Sequence, residues 1–434
     1  MEQLIPFLQA SPTPWHAVAQ METILLENEF TKLSEASPWD LSPGKGYVVT
    51  RQPGALVAFI LPAGYPETLP PIHLTCAHTD SPGLKLKPTP CKRKGAHLVW
   101  DVEVYGSPLL STWFDRDLGL AGQLTLIHPE LGMRHRMIHD REATAILPSL
   151  AIHLNREAND GTKIHRHDDL SPIILPEAMV SGQEPVPTFQ SWVKSQMERH
   201  FPAEDWHSWE PVAWDLSLVD CTPPRCLGGE SGWLTGARLD NLLACLTGVL
   251  AITSPSLHKR GNLPILACFN HEESGSLSQV GAQGNLVPSV LRRLFPQPGT
   301  LERILSHSTL VSVDAAHALH PNFSDKYDSN NAPELNAGLV FKHNTNQRYA
   351  HSPEAEGMLK GLCRTHGIPW QDFAMRADMP CGSTIGPMLA ANLGMRAVDL
   401  GVATWAMHSI RETAGLADIA NLHTFLTHFF AFEG

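Results

Sequence analysis

The sequence predicts an α/β protein, a sandwich built on a mixed or largely parallel sheet and interrupted by a β-rich insertion. Two observations carry this. After Gly236 short apolar runs alternate with helical segments, the pattern of strands and helices layered on one sheet. From about Lys85 to Trp233 the texture is different: short strand candidates, Pro-rich joints and polar loops (HRHDD, SGQEPVP, DCTPPRC), with weak helical periodicity. At 434 residues the chain has room for two or three domains and a large core.

Taken in order, Ser11-Pro12-Thr13-Pro14-Trp15-His16 is a helix entry, with Thr13 placed to cap and Pro14 at the first helical position, ahead of a helix through Ala17 to Leu26. Strands follow at Tyr47 to Thr50, Leu56 to Leu61 and Ile72 to Ala77, the last leading into His78-Thr79-Asp80. Beyond the insertion, Leu242 to Ile252 reads as a buried helix, and Leu263 to Phe269, Thr309 to Val313, Gly338 to Lys342 and Ala397 to Gly401 as strands. Ser352 to Thr365 and Thr384 to Asn392 are the helices between the later strands.

Composition bounds the function. With 43% hydrophobic and 18% charged residues this is a globular chain without a low-complexity tract, and a formal charge of -12 argues against nucleic-acid and anionic-membrane partners. The longest apolar stretch, Leu242 to Ile252, is too short for a membrane span. Eight scattered cysteines without a CxxC pair read as reduced thiols, and the N-terminus has no basic segment ahead of an apolar one, so a cytoplasmic protein is expected.

Glu272-Glu273 directly follow the apolar run Leu263 to Phe269 and the pair Asn270-His271. Two adjacent carboxylates suit a metal site, one binding a cation and the other moving a proton, although a solvated loop explains the pair equally well when it is taken alone. Other candidates share the same placement. His78, Asp314 and His408 each lie at or just past the end of an apolar run, where ligands gather in open α/β sheets, and Asp240 opens the Asn241 to Ile252 helix. Two imidazoles with three or four carboxylates suit zinc, manganese or cobalt. By contrast, His165-Arg166-His167-Asp168-Asp169 reads as a solvated loop, and His153 in LAIHLNR as a buried strand histidine. His317 and His320 either line a pocket or pack beside Asp314. Gly382 and Ser383, in Cys381-Gly382-Ser383-Thr384, either offer backbone N–H groups to a ligand or merely cap a helix.

The segments SPTPWHAV, CAHTDSPGLKLKP, DRDLGLAG, ARLDN, EESGS, VDAAHALHPN, NQRYA, CGSTIGP and MHSIRE occur in an order that resembles the aspartyl aminopeptidase family of co-catalytic metallopeptidases over essentially the whole chain. The resemblance implies a three-layer α/β/α catalytic domain at 1–85 and 234–434 and a barrel-like dimerisation domain at 86–233. It implies two divalent ions, Zn2+ ahead of Mn2+ or Co2+, bridged by Asp240, with His78, Asp314, Glu273 and His408 as the further ligands. Glu272 is then the general base and Asp80 the carboxylate that orients His78. Lys342 matches a specificity-pocket position and would pair with an acidic substrate side chain, where a lone lysine otherwise reads as surface. Lys342, His153, His317, Gly382 and Ser383 make up the expected substrate-binding set, with His153 reaching a neighbouring subunit's site. The expected activity is removal of N-terminal residues, Asp or Glu preferred, from peptides by a homo-oligomer, a dodecamer built from dimers. A related two-metal amidohydrolase or deacylase is the enzymatic rival, and a non-catalytic scaffold of the same fold the other. Asn270-His271 and Ala377 depart from the family pattern and bear on the shape of the pocket.

Overall fold

The computed structural model describes residues 2–67, 69–174, 189–229 and 232–433. They form two compact units, Met1–Ser81 with Pro224–Met407 and Glu412–Gly434, and Pro82–Pro223 with His408–Arg411. The expected boundaries at 85/86 and 233/234 differ from this division for a physical reason. Strand Gly83–Lys94 is already paired in the second unit, while Arg225–Leu227 pairs with Trp233–Gly236 in the first.

The first unit is organised by a nine-stranded mixed sheet. Its strands run, in spatial order, Thr31–Leu33, Gly46–Arg51, Ala55–Ile60, Leu263–Phe269, Ile72–His78, Thr309–Val313, Arg396–Gly401, Leu339–His343 and Trp370–Ala374. The three central strands Leu263–Phe269, Ile72–His78 and Thr309–Val313 are mutually parallel and fully buried, which is why each reads as a near-continuous apolar run. One face packs on helices Pro14–Glu27, Leu239–Ile252 and Leu416–Phe430, through side chains such as Val18, Leu243, Leu246 and Phe425. The other face packs on Leu286–Leu294 and Ile385–Leu393 through Val290, Leu291 and Leu389. Helices on both faces make the three layers. A smaller five-stranded sheet joins Arg225–Leu227, Trp233–Gly236, Glu412–Gly415, Ala403–Trp405 and Ala316–His317.

The second unit is a closed barrel. Glu210–Asp220, Gly83–Lys94, His97–Tyr105, Ile173–Ile174, Ala145–Ile146 and Asp117–His128 follow one another, and Asp117–His128 pairs back onto Glu210–Asp220. Closure removes the sheet edges. Gly132–His139 extends the Asp117–His128 side as a hairpin. A helix, Phe189–His200, was not anticipated from the weak periodicity of this region, yet it buries Phe189, Trp192, Val193, Gln196 and Met197 at helical spacing.

Candidate active site

The site is built by three adjacent parallel strands that end side by side. Phe269 is the register partner of His78, and Ser312 that of Cys76, so the residues just past each strand share one end of the sheet. His78 closes the central strand, Glu272 and Glu273 follow one neighbour, and Asp314 follows the other. Crevices beyond carboxyl ends of strands are where open α/β sheets collect ligands.

Each side chain is held by its own local structure. His78 is buried, and its Nδ1 contacts the Asp80 backbone oxygen at 3.0 Å. The Asp80 carboxylate, expected to orient this ring, has its Oδ1 3.6 Å from Nδ1 and is one of the groups that raise the imidazole's pKa. That carboxylate also accepts the backbone N–H groups of Glu272 at 3.2 Å and Glu273 at 3.1 Å. Carbonyl and carboxylate of Asp80 both meet the ring, and the carboxylate reaches the neighbouring loop as well, so one residue contacts both. His78 Nε2 faces Asp240 Oδ1 at 3.3 Å and Asp314 Oδ1 at 3.4 Å.

Asp240 sits where helix Leu239–Ile252 begins, with non-helical backbone angles. Its N–H donates to Glu412 Oε2 at 2.9 Å and its carbonyl accepts from Ser81 Oγ at 2.8 Å. Asn241 Nδ2 donates to the Val313 carbonyl at 2.7 Å, tying this helix start to the strand that carries Asp314. Buried Glu412 was not singled out as a candidate, although it stands inside the MHSIRE segment. On the other side of Asp314, Gly401 permits a close strand approach, since a Cβ there would lie 1.9 Å from the Asp314 carbonyl oxygen.

The paired acids occupy a short 3-10 turn, Glu272–Ser274, entered through His271 in the left-handed region at φ 63°. His271 Nδ1 lies 2.8 Å from Ser278 Oγ, and Asn270 Nδ2 donates to the Pro53 carbonyl at 2.9 Å. Asn270 and His271, two of the three residues noted above as departures, therefore brace the turn.

Lys342 is not a surface residue. It is 2% exposed, with Nζ 3.4 Å from Asp314 Oδ2 and 5.2 Å from the Tyr349 ring centre. Burial opposes ionisation of Asp314, but the Lys342 ammonium and the His78 imidazole overcome it and hold the carboxyl below its ordinary range. Burial likewise opposes protonation of His78, and Asp240, Asp314 and Asp80 overcome it, raising that imidazole well above its ordinary value. Glu272 is pushed up to about 8, by burial first, with His78 opposing and Asp314, Asp80 and Asp240 adding to the rise. Burial and Asp240 raise Glu273 as well. So much negative charge around one imidazole is the field that a bound cation relieves.

His78, Asp240 and Glu273 each offer a ligand atom, all within 4.8 Å of one another. One nitrogen and two oxygen donors, His78 and Asp240 buried and Glu273 half-buried, with Asp314 alongside, fit zinc.

The remaining candidates are more scattered. His317 packs edge-on to Phe373 with centres 5.9 Å apart, and His320 Nδ1 accepts the Asn322 N–H at 3.2 Å. Gly382 and Ser383 are exposed ahead of helix Ile385–Leu393, whose N-cap Thr384 makes no side-chain cap bond and donates to Asp399 Oδ2 instead. His408 groups with the second unit, where its Nδ1 lies 3.0 Å from the Ser107 carbonyl oxygen. His153 corrects the expectation of a buried strand histidine. It lies in an exposed turn beside Ile152 and Leu154, themselves 46% and 75% exposed, because no strand forms at that point to bury it. His165–Asp169 is an exposed turn.

A three-layer α/β/α sheet with a buried nitrogen and oxygen donor set at its strand ends defines the class, the α/β metallohydrolases. The profile of a family described as "Aminopeptidase I zinc metalloprotease (M18)" matches residues 7–430. A "Probable M18 family aminopeptidase 2" of Stutzerimonas stutzeri (strain A1501) is 43% identical over 429 residues, covering 99% of this chain and 97% of that one. Among solved structures, the "Cryo-EM structure of the Ape4 and Nbr1 complex" matches with a TM-score of 0.93 at 34% identity, over 99% of this chain and 85% of that chain. The "Structure of S. cerevesiae mApe1 dodecamer" matches with a TM-score of 0.83 at 25% identity, over 99% and 95%. The chain belongs to the M18 family of aminopeptidases, which are zinc metalloproteases.

Proposed function

We propose that this aminopeptidase works with two divalent ions and prefers peptides with an N-terminal Asp or Glu. The observation that carries the reading is the turn Glu272–Ser274, hung by Asp80 beside the His78, Asp240 and Asp314 donors. His78, Asp240, Glu273, Asp314 and His408 would hold the ions. When bound, the ions supply electrophilic chemistry, polarising the scissile carbonyl and lowering the pKa of the attacking water toward about 7.

The chain's own groups do the rest. The Glu272 carboxylate takes the proton of the attacking water and returns it to the leaving amine. Asp80 keeps that carboxylate in register through its two backbone contacts. Lys342 has three donors, so pairing with Asp314 leaves it able to meet a substrate carboxylate, which is the basis of the acidic preference. Gly382, Ser383, His317 and the partner-reaching His153 complete the proposed substrate contacts.

A homo-oligomer on the dodecamer plan of the yeast relative is part of this reading. It is supported by apolar side chains standing exposed on the barrel unit, among them Met133 at 65% and Leu131 at 61%. No helix among the described residues is long and apolar enough to cross a membrane, and all eight cysteines are free, which supports the cytoplasm as the working compartment.

The test is a panel of aspartyl, glutamyl and alanyl peptides set against N-acyl amino acids. Preferential hydrolysis of the two acidic peptides is expected. Faster turnover of the N-acyl compounds would favour the deacylase reading.

A further inference from the structure

A second group of metal-ligating side chains lies outside the chemistry above. His343 ends strand Leu339–His343, one residue past Lys342, and strand alternation sends the two side chains to opposite faces of the sheet. His351 precedes helix Pro353–Thr365, which carries Glu356 and, one turn on, Lys360. Asp372 comes from the neighbouring parallel strand Trp370–Ala374.

The donors already converge. His351 Nε2 lies 2.5 Å from Glu356 Oε2, and His343 Nε2 lies 3.7 Å from Glu356 Oε1 and 2.9 Å from Asp372 Oδ1. Ligand atoms of His343, His351 and Glu356 all fall within 4.8 Å of one another, and the two imidazoles are half-buried over a Glu356 that is 9% exposed, so an ion can reach them from solvent. The Lys360 ammonium bridges the carboxylates, 2.6 Å from Glu356 Oε1 and 2.7 Å from Asp372 Oδ1. Burial opposes ionisation of Glu356 and Asp372, but Lys360 and His343, joined by His351 at Glu356, hold both carboxyls below their ordinary range. The lysine accounts for the pairing of the carboxylates. It does not account for two imidazoles directed at the two oxygens of one carboxylate, His351 at Glu356 Oε2 and His343 at Oε1, with ring centres 5.0 Å apart.

We propose that His343, His351 and Glu356, with Asp372 as a fourth ligand, form a separate site for a borderline divalent cation such as Zn2+, which displaces the Lys360 ammonium on binding. Two imidazole nitrogens and two carboxylate oxygens are a tetrahedral zinc set. Each imidazole to carboxylate contact would be replaced by a pair of bonds to one ion, the ligand atoms of His343, His351 and Glu356 already lying within 4.8 Å of one another. The bound ion would pin helix Pro353–Thr365 to the two strands at this edge of the sheet.

Zinc content, measured by elemental analysis after equilibrium dialysis against a series of free zinc concentrations, tests this without reference to peptidase activity. The wild type is expected to hold one ion per chain more than a His343→Ala/His351→Ala double variant. Lys360→Met, which removes the competing ammonium, should bind that additional ion about tenfold more tightly. Identical zinc isotherms for wild type and a double variant with native circular dichroism would overturn the site. If the double variant does not fold, Lys360→Met decides alone, and an affinity equal to or below that of the wild type overturns the proposal.

Discussion

The carboxylate of Asp80 accepts the backbone N–H of Glu273 at 3.1 Å, with the Glu272 N–H on its other oxygen at 3.2 Å. A residue two positions past one strand thereby fixes the turn that follows its parallel neighbour. Asp80 is 1% exposed, so these charge-assisted bonds form where water does not compete. The geometry of the paired acids is therefore set from outside their own loop.

Asp80→Asn keeps the shape of this contact but removes its charge and gives one of the two amides a nitrogen instead of an oxygen. Loss of such a supporting contact lowers metal affinity or turnover by about 10- to 100-fold. Zinc titration and kcat, measured together, check this. Unchanged values for both would mean that the turn stands without Asp80.

Glu272→Gln leaves the size of the side chain and removes its ability to take a proton. With Glu272 as the general base, kcat should fall by about 10²- to 10⁴-fold. Because Glu272 is assigned no ligand role, zinc content should match the wild type. Near-normal turnover would sink the assignment, and loss of zinc along with turnover would reassign Glu272 to the ligand set.

The buried strands were the legible part of the sequence. Leu263–Phe269 and Thr309–Val313 coincide with their apolar runs, and Ile72–His78 runs one residue past the expected end, because strands buried on both faces leave no polar alternation to blur them. The edge strand Trp370–Ala374 was missed for the opposite reason, its sequence WQDFA being mostly half-exposed. Helix Leu416–Phe430 was also missed, although Ile419, Leu422, Phe425, Leu426 and Phe429 repeat at helical spacing. At the site, proximity of the acids to strand ends was readable. Their partners were not: the contact between Asp80 and the Glu272 and Glu273 amides, the Glu412 contact to Asp240 and the burial of Lys342 against Asp314 all depend on which strands lie side by side. Periodicity carries no information on that.

Lys342→Met separates two roles for the buried ammonium. If Lys342 meets an acidic substrate side chain, kcat/KM for aspartyl and glutamyl peptides should fall by about 10- to 100-fold, the worth of a charge-assisted hydrogen bond, with alanyl peptides much less affected. If its work is to stabilise Asp314, both substrate types fall together and zinc affinity falls with them. The ratio of acidic to neutral kcat/KM in variant and wild type reads the difference, and an unchanged ratio rejects the specificity role.

His73 predicts an acid-side loss of stability that owes nothing to the active site. The ring lies in strand Ile72–His78, 5% exposed, stacked on Phe429 with centres 5.0 Å apart and 2.9 Å from Asn262 Nδ2. Burial lowers its pKa from 6.5 to about 4, partly offset by a backbone contact at Phe429. Above 6.5 the ring is neutral in both folded and unfolded chains and contributes no pH dependence. Between 6.5 and about 4 only the unfolded chain takes up the proton, so stability falls as pH falls, by about 1.4 kcal/mol per pH unit, and the loss levels off below that window. His73→Gln cannot take up that proton. Its melting temperature should start lower at pH 7.5 and then drop less than that of the wild type on going to pH 5.5. Equal drops in the two proteins would show that His73 does not stay neutral in the fold.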